Sequence, residues 1–152
     1  MSIKDRINHD LKNAMLSGDK TLTNTLRVLK SAILDVEVAT NKRDIGLTEP
    51  ETIQVLQKEA KKRQESADMF LKGNRTEKSD SELYEKKVIL NYLPEQMSES
   101  ELMKIVDETI SESGAKTQRD MGSVIGAVKM KVAGKSDGSV IARLVKSKLG
   151  ND

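Results

Sequence analysis

Residues 93–152, LPEQMSESELMKIVDETISESGAKTQRDMGSVIGAVKMKVAGKSDGSVIARLVKSKLGND, read as three short helices behind a proline stop. Pro94 pushes the residue before it out of helical geometry, so whatever precedes it must end there. Ser98 and Glu101 have capping-box spacing, and Met97 with Leu102 supplies a hydrophobic staple. Leu102, Ile105, Val106 and Ile110 then recur at helical intervals, and Gly114 follows as the expected stop. Asp120 is the expected cap of the next helix, with Met121, Val124, Ile125, Val128 and Val132 turned inward. Gly134 breaks it. Ser136 or Asp137 caps the last helix, whose inward residues are Val140, Ile141, Leu144, Val145 and Leu149.

Upstream of Pro94 the same signals recur. Ser2 and Asp5 open a first helix with Ile3, Ile7, Leu11, Ala14 and Met15 along one side, and Gly18 ends it. Asp19 caps a second, in which Leu22, Leu26, Leu29, Ile33 and Val36 form the apolar stripe while Arg27, Lys30, Asp35 and Glu37 occupy other faces. After the polar turn 41–47, Thr48 and Glu51 make a capping box with Pro50 in the first turn, where a missing N–H costs nothing. Ile53, Leu56, Ala60, Arg63, Ala67 and Phe70 follow on one side, with Gly73 as the expected cap. A fourth helix, capped near Ser79, carries Leu83, Tyr84, Val88, Ile89 and Tyr92. No stretch reads as a strand. The expected fold is all-α and multihelical, a four-helix N-terminal subdomain (1–94) followed by a three-helix C-terminal subdomain (95–152).

Of the 152 residues 36% are apolar and 33% charged, the balance of a soluble globular chain. There is no cysteine, hence no disulfide framework, thiolate metal site or cysteine nucleophile. No apolar run approaches the roughly 20 residues of a membrane span, and the start lacks a signal-peptide apolar core, so a cytoplasmic protein is expected. The net charge is only +2, but it is unevenly spread. Residues 1–94 hold 17 basic against 15 acidic side chains, residues 95–115 hold 1 against 6, and residues 116–152 hold 8 against 3. An acidic helix thus precedes a basic pair.

Gly134-Lys135-Ser136 invites a phosphate-loop reading, but the pattern requires a glycine where Lys129 stands and a strand where a helix is expected. What survives is the start of the last helix, where exposed N–H groups beside Lys135 could hold one phosphate, or where Ser136 or Asp137 simply caps and Gly138 eases the turn. Gly122 and Gly126 bare one helical face for a full turn, a place for a neighbouring helix of the same chain, or a docking groove for a partner or a nucleic-acid backbone. Lys129, Lys131, Lys135, Arg143, Lys146 and Lys148 crowd two successive helices. Such cations either form a solvated face or converge on phosphates. Aromatic residues are missing here, so folded RNA held by its backbone fits better than stacking on single strands. Lys61, Lys62 and Arg63 alternate with Glu59, Glu65 and Asp68, the pattern of a salt-bridged surface. His9 is the sole histidine. No catalytic constellation, metal site or cofactor is expected.

Taken together, Tyr92-Leu-Pro-Glu-Gln-Met-Ser-Glu99, Asp120-Met-Gly-Ser-Val-Ile-Gly-Ala127, Gly134-Lys-Ser-Asp-Gly138 and Leu144-Val-Lys146 resemble the GatB/YqeY family. Leu26-Arg-Val-Leu29, Lys62-Arg-Gln-Glu-Ser66 and Asn74-Arg75 resemble the helical N-terminal part of its free-standing members. The C-terminal part is similar to the tail domain of the aminoacyl-tRNA amidotransferase B subunit. The resemblance implies a multihelical fold and a tRNA partner, with an aminoacyl-tRNA amidotransferase or synthetase as a further one. By position, Gly122, Gly126, Lys135, Asp137 and Gly138 match the tail's turns, and Lys129, Lys131 and Arg143 become inferred phosphate contacts. The resemblance also implies carbon–nitrogen ligase activity with glutamine as amido donor. The chain has neither a cysteine nucleophile nor a recognisable serine–lysine or nucleotide-binding motif. The expected role is therefore a tRNA-associated accessory module. Participation in glutamine-dependent amide transfer, or protein docking through the glycine face and methionines, are the alternatives.

Overall fold

The structure, a computed structural model, describes residues 1–150. They form seven α-helices and one 3₁₀ turn, with no strand beyond an isolated parallel bridge between Thr117 and Gly150. The chain is all-α and divides into two compact units, Met1–Leu93 and Pro94–Asp152, each with its own apolar cluster.

In the first unit α1 (Ile3–Ser17) begins at a complete capping box. The Ser2 hydroxyl accepts from the Asp5 N–H, and the Asp5 carboxylate accepts from the Ser2 N–H. Gly18 ends it at φ 75°, a left-handed geometry that costs glycine nothing. Asp19 accepts from the Leu22 N–H and starts α2 (Lys20–Ala39). Thr48 and Glu51 box the start of α3 (Glu49–Lys72). Ile7, Leu26, Leu29, Ile33, Leu56 and Ile89 are fully buried between these helices and α4 (Thr76–Leu90).

Expectations at Ser79, at Leu83 with Tyr84 and at Glu37 fail in this unit, each for a packing reason. Ser79 is not a cap: α4 begins three residues earlier behind Arg75, which makes no side-chain cap, and the buried Ser79 hydroxyl donates to the Ala67 carbonyl at 2.9 Å. Gly73 caps α3 as expected, in right-handed geometry, and the left-handed residue follows at Asn74, φ 59°. Leu83 and Tyr84 are exposed, because Val88, Ile89 and Tyr92 already fill the face toward the core. Arg63, on the side expected, is 13% exposed and salt-bridged, its guanidinium against Glu59 and Glu85 where α3 meets α4. Burial there pushes the Glu85 carboxyl up, with Arg63 opposing.

Glu37, expected outside, is 2% exposed. Its carboxylate accepts from Lys4 Nζ at 3.0 and 3.2 Å and from the Leu47 N–H at 3.3 Å, tying α1 and the 41–47 turn to α2. Gly46, at φ 78°, lies directly over it. Tyr92 ties down the middle of α1 by donating its hydroxyl to Asp10 at 2.5 Å, under the Arg6 guanidinium. Burial, then the Asp10 carboxylate, push the phenol well above its usual range.

In the second unit α5 (Glu99–Ser113), the 3₁₀ turn Gln118–Asp120, α6 (Met121–Val132) and α7 (Gly138–Lys148) enclose Leu102, Val106, Val124, Val128, Ile141 and Val145. No helix among the described residues is long and apolar enough to cross a membrane.

Candidate nucleic-acid interface

The residues singled out for phosphate contact lie on α6, α7 and the turn between them. Ser98 accepts from the Glu101 N–H and starts α5, though the return half of the box is not made. Gly114, φ 71°, ends it. Asp120 does not cap α6. Its carboxylate turns back to accept from the Lys116 N–H (3.0 Å) and the Thr117 N–H (3.4 Å), which holds it below the usual carboxylate range. Thr117 in turn accepts from the Arg119 N–H. This knot fixes where α6 starts. The end of α7 is sewn to it, since the Gly150 N–H donates to the Lys116 carbonyl at 2.9 Å. A methyl on Gly150 would lie 3.0 Å from that carbonyl oxygen, a close approach the sequence alone did not flag.

Two consecutive left-handed residues, Ala133 (φ 47°) and Gly134 (φ 84°), end α6 and reverse the chain. Asp137 then accepts from the Ser139 N–H at 2.9 Å and caps α7. Gly138, the first residue of α7, lies under the Lys129 side chain. A methyl there would come 3.2 Å from Lys129 Cε and 3.4 Å from its Nζ. The Lys129 amine is therefore carried across the start of α7, which lies three residues after Lys135.

The glycine pair is neither packed nor buried. Gly122 and Gly126 are exposed, and a methyl on either would meet nothing within 4 Å. The expectation of a neighbouring helix fails here because Val124, Val128 and Val132 make the contact on the opposite face. Gly122, Gly126 and Lys129 stand at i, i+4 and i+7, so the open backbone runs straight to the Lys129 amine.

The structure does not bring all the cations together. Lys131 Nζ lies 2.8 Å from Glu112 and donates to the Thr109 hydroxyl at 3.0 Å. Arg143 pairs with Glu99, and Lys148 with Asp107 at 3.4 Å. All three acids stand on α5, so the acidic helix neutralises half of the basic pair. Among the described residues Lys129, Lys135 and Lys146 have no carboxylate at ion-pairing distance. Lys129 and Lys135 share the α6–α7 turn, whereas Lys146 is about 12 Å along α7 from Gly138, at 1.5 Å rise per residue. What stands in one row is the bare Gly122–Gly126 pair with Lys129, and Lys135 is the cation nearest to it in the chain at the turn that follows α6. Among the described residues no group of three or more His, Cys, Asp or Glu side chains could hold a metal ion.

A family model described as Yqey-like protein matches residues 4–149. The chain belongs to the YqeY-like family. The matched span takes in both units and every candidate residue from Gly122 to Lys146. No curated protein matches this YqeY-like chain.

Proposed function

We infer that this YqeY-like protein is a tRNA-associated accessory module that holds the backbone of folded RNA through its C-terminal unit and does no chemistry of its own. The observation that carries the reading is the open row Gly122–Gly126–Lys129, a helix backbone stripped of side chains for a full turn and leading to an amine that has no carboxylate partner among the described residues. A phosphodiester strand can approach such a surface closely, and Lys129 and Lys135 supply positive charge where it would pass. Lys146 extends the track, while Lys131 and Arg143 contribute less because α5 holds them. The absence of aromatic side chains from this unit favours recognition of shape over base stacking. The resemblance to the amidotransferase tail points to tRNA, with an amidotransferase or synthetase as the enzyme served.

The test is a filter-binding titration of bulk tRNA at several salt concentrations. Affinity should fall steeply with salt, and Lys129→Glu with Lys135→Glu should weaken binding and lower the log–log salt slope by about two. Lys131→Glu should do less. Gly126→Leu separates binding from folding, since it fills open space on a helix and should stabilise α6 by about 0.8 kcal/mol while blocking close approach. An affinity for tRNA no better than that of a neutral control protein overturns the reading.

A further inference from the structure

The first unit carries a surface that the RNA reading does not use. Asn8, Leu11, Lys12, Met15 and Leu16 of α1 and Lys30 of α2 line an open groove of about 280 Å³ along the outer seam of the two helices. Met15 is 54% and Leu16 77% exposed at one end. Leu34 and Val38, also exposed, follow Lys30 at i+4 and i+8 and continue the apolar strip along α2. Isolated exposed aliphatics are ordinary, but a strip along a concave seam is not.

The charges around it have one sign. Lys12, Arg27 and Lys30 border the seam, and among the described residues none has an ion pair; the Arg27 guanidinium lies 3.9 Å from the Met15 sulfur. The carboxylates of the two helices other than Asp35 are engaged elsewhere. Asp5 and Asp19 cap, Asp10 accepts from Tyr92, and Glu37 is buried against Lys4. Asp35 stands about 100° round the helix from Leu34 and about 60° from Val38, at the far end of the strip from Lys12 and Arg27.

We propose that the α1–α2 seam docks an amphipathic helix of a protein partner whose apolar stripe is flanked by acidic side chains. The aliphatic floor takes the stripe, and Lys12, Arg27 and Lys30 meet the acids. A phosphate backbone has no use for Leu11, Met15, Leu34 and Val38. A membrane surface favours aromatic anchors, and all three aromatics of the chain lie beyond α2, at Phe70, Tyr84 and Tyr92.

The test uses the full chain, isotope-labelled, and a synthetic peptide of about four helical turns with leucines at i, i+3, i+4 and i+7 flanked by glutamates. A twin peptide carries lysines in place of the glutamates; bulk tRNA and anionic phospholipid vesicles complete the set. The acidic peptide should bind saturably, with amide shifts confined to residues 8–16 and 27–38. Lys12→Glu with Lys30→Glu, both on exposed positions, should weaken it by about tenfold or more and should create affinity for the twin. The proposal is overturned if the acidic peptide does not saturate, if both peptides bind the unaltered protein equally, or if only tRNA or vesicles shift those amides. Because the seam lies outside the C-terminal unit, its failure leaves the tRNA titration untouched, and the reverse also holds.

Discussion

Glu37 shows how one residue can escape a pattern and still be dictated by it. It stands four residues after Ile33 and eight after Leu29, so helical periodicity puts it in the buried row even though its charge argues for water. What resolves the conflict is remote in sequence, namely the Lys4 amine and the Leu47 N–H, which replace the lost solvent. Glu37→Gln preserves the shape but removes the charge that Lys4 faces, and it should cost about 1–3 kcal/mol in a denaturant titration. Lys4 is 42% exposed, so its coupling to Glu37 in a double-mutant cycle with Lys4→Met should come to about 1 kcal/mol rather than the several expected of a fully buried pair. A coupling near zero would mean that the Leu47 N–H, and not Lys4, keeps Glu37 inside.

At the scale of single helices, the starts were the most legible feature of the chain. Ser2 with Asp5, Asp19, Thr48 with Glu51, and Asp137 each cap the helix their spacing indicated, because capping is decided within four residues. Ser79 fails as a cap because a tertiary partner wins, a carbonyl on the neighbouring helix claiming its hydroxyl, whereas Asp120 fails because its carboxylate closes a box one turn earlier, on the Lys116 and Thr117 N–H groups. The α3 cap yields a pH prediction. The Lys42 amine, then the Thr48 N–H and hydroxyl, bring the Glu51 carboxyl from its ordinary 4.5 to about 2. Since the folded value lies below the unfolded one, the stabilisation is fully present above about 4.5 and is lost as pH falls toward about 2. Carbon-detected NMR titration of the Glu51 side chain should find that low midpoint, and Lys42→Met should raise it. A midpoint near 4.5 in the unaltered protein would show that the carboxylate is solvated and the Lys42 contact is not kept in solution.

Over the whole molecule, the sequence makes the charge asymmetry plain but not its cancellation. An acidic helix followed by two basic ones can be counted directly, yet Glu112 with Lys131, Glu99 with Arg143 and Asp107 with Lys148 are joined only when three helices pack around Val106, Val128 and Ile141. Of the six cations crowded along the chain, only Lys129, Lys135 and Lys146 are thus left without a carboxylate partner among the described residues, and α5 becomes the element that sets how much positive field the unit presents. That role can be measured. The Lys131–Glu112 and Arg143–Glu99 pairs are exposed, so replacing Glu99 and Glu112 with glutamine should change stability by less than about 1 kcal/mol. The same double substitution frees two cations beside the proposed track, so tRNA affinity at low salt should rise and the log–log salt slope should steepen by up to about two. Unchanged affinity and slope would place Lys131 and Arg143 away from the RNA and confine its path to the α6–α7 turn, whereas weaker binding would mean that the α5 carboxylates hold these side chains in the orientation the phosphates need.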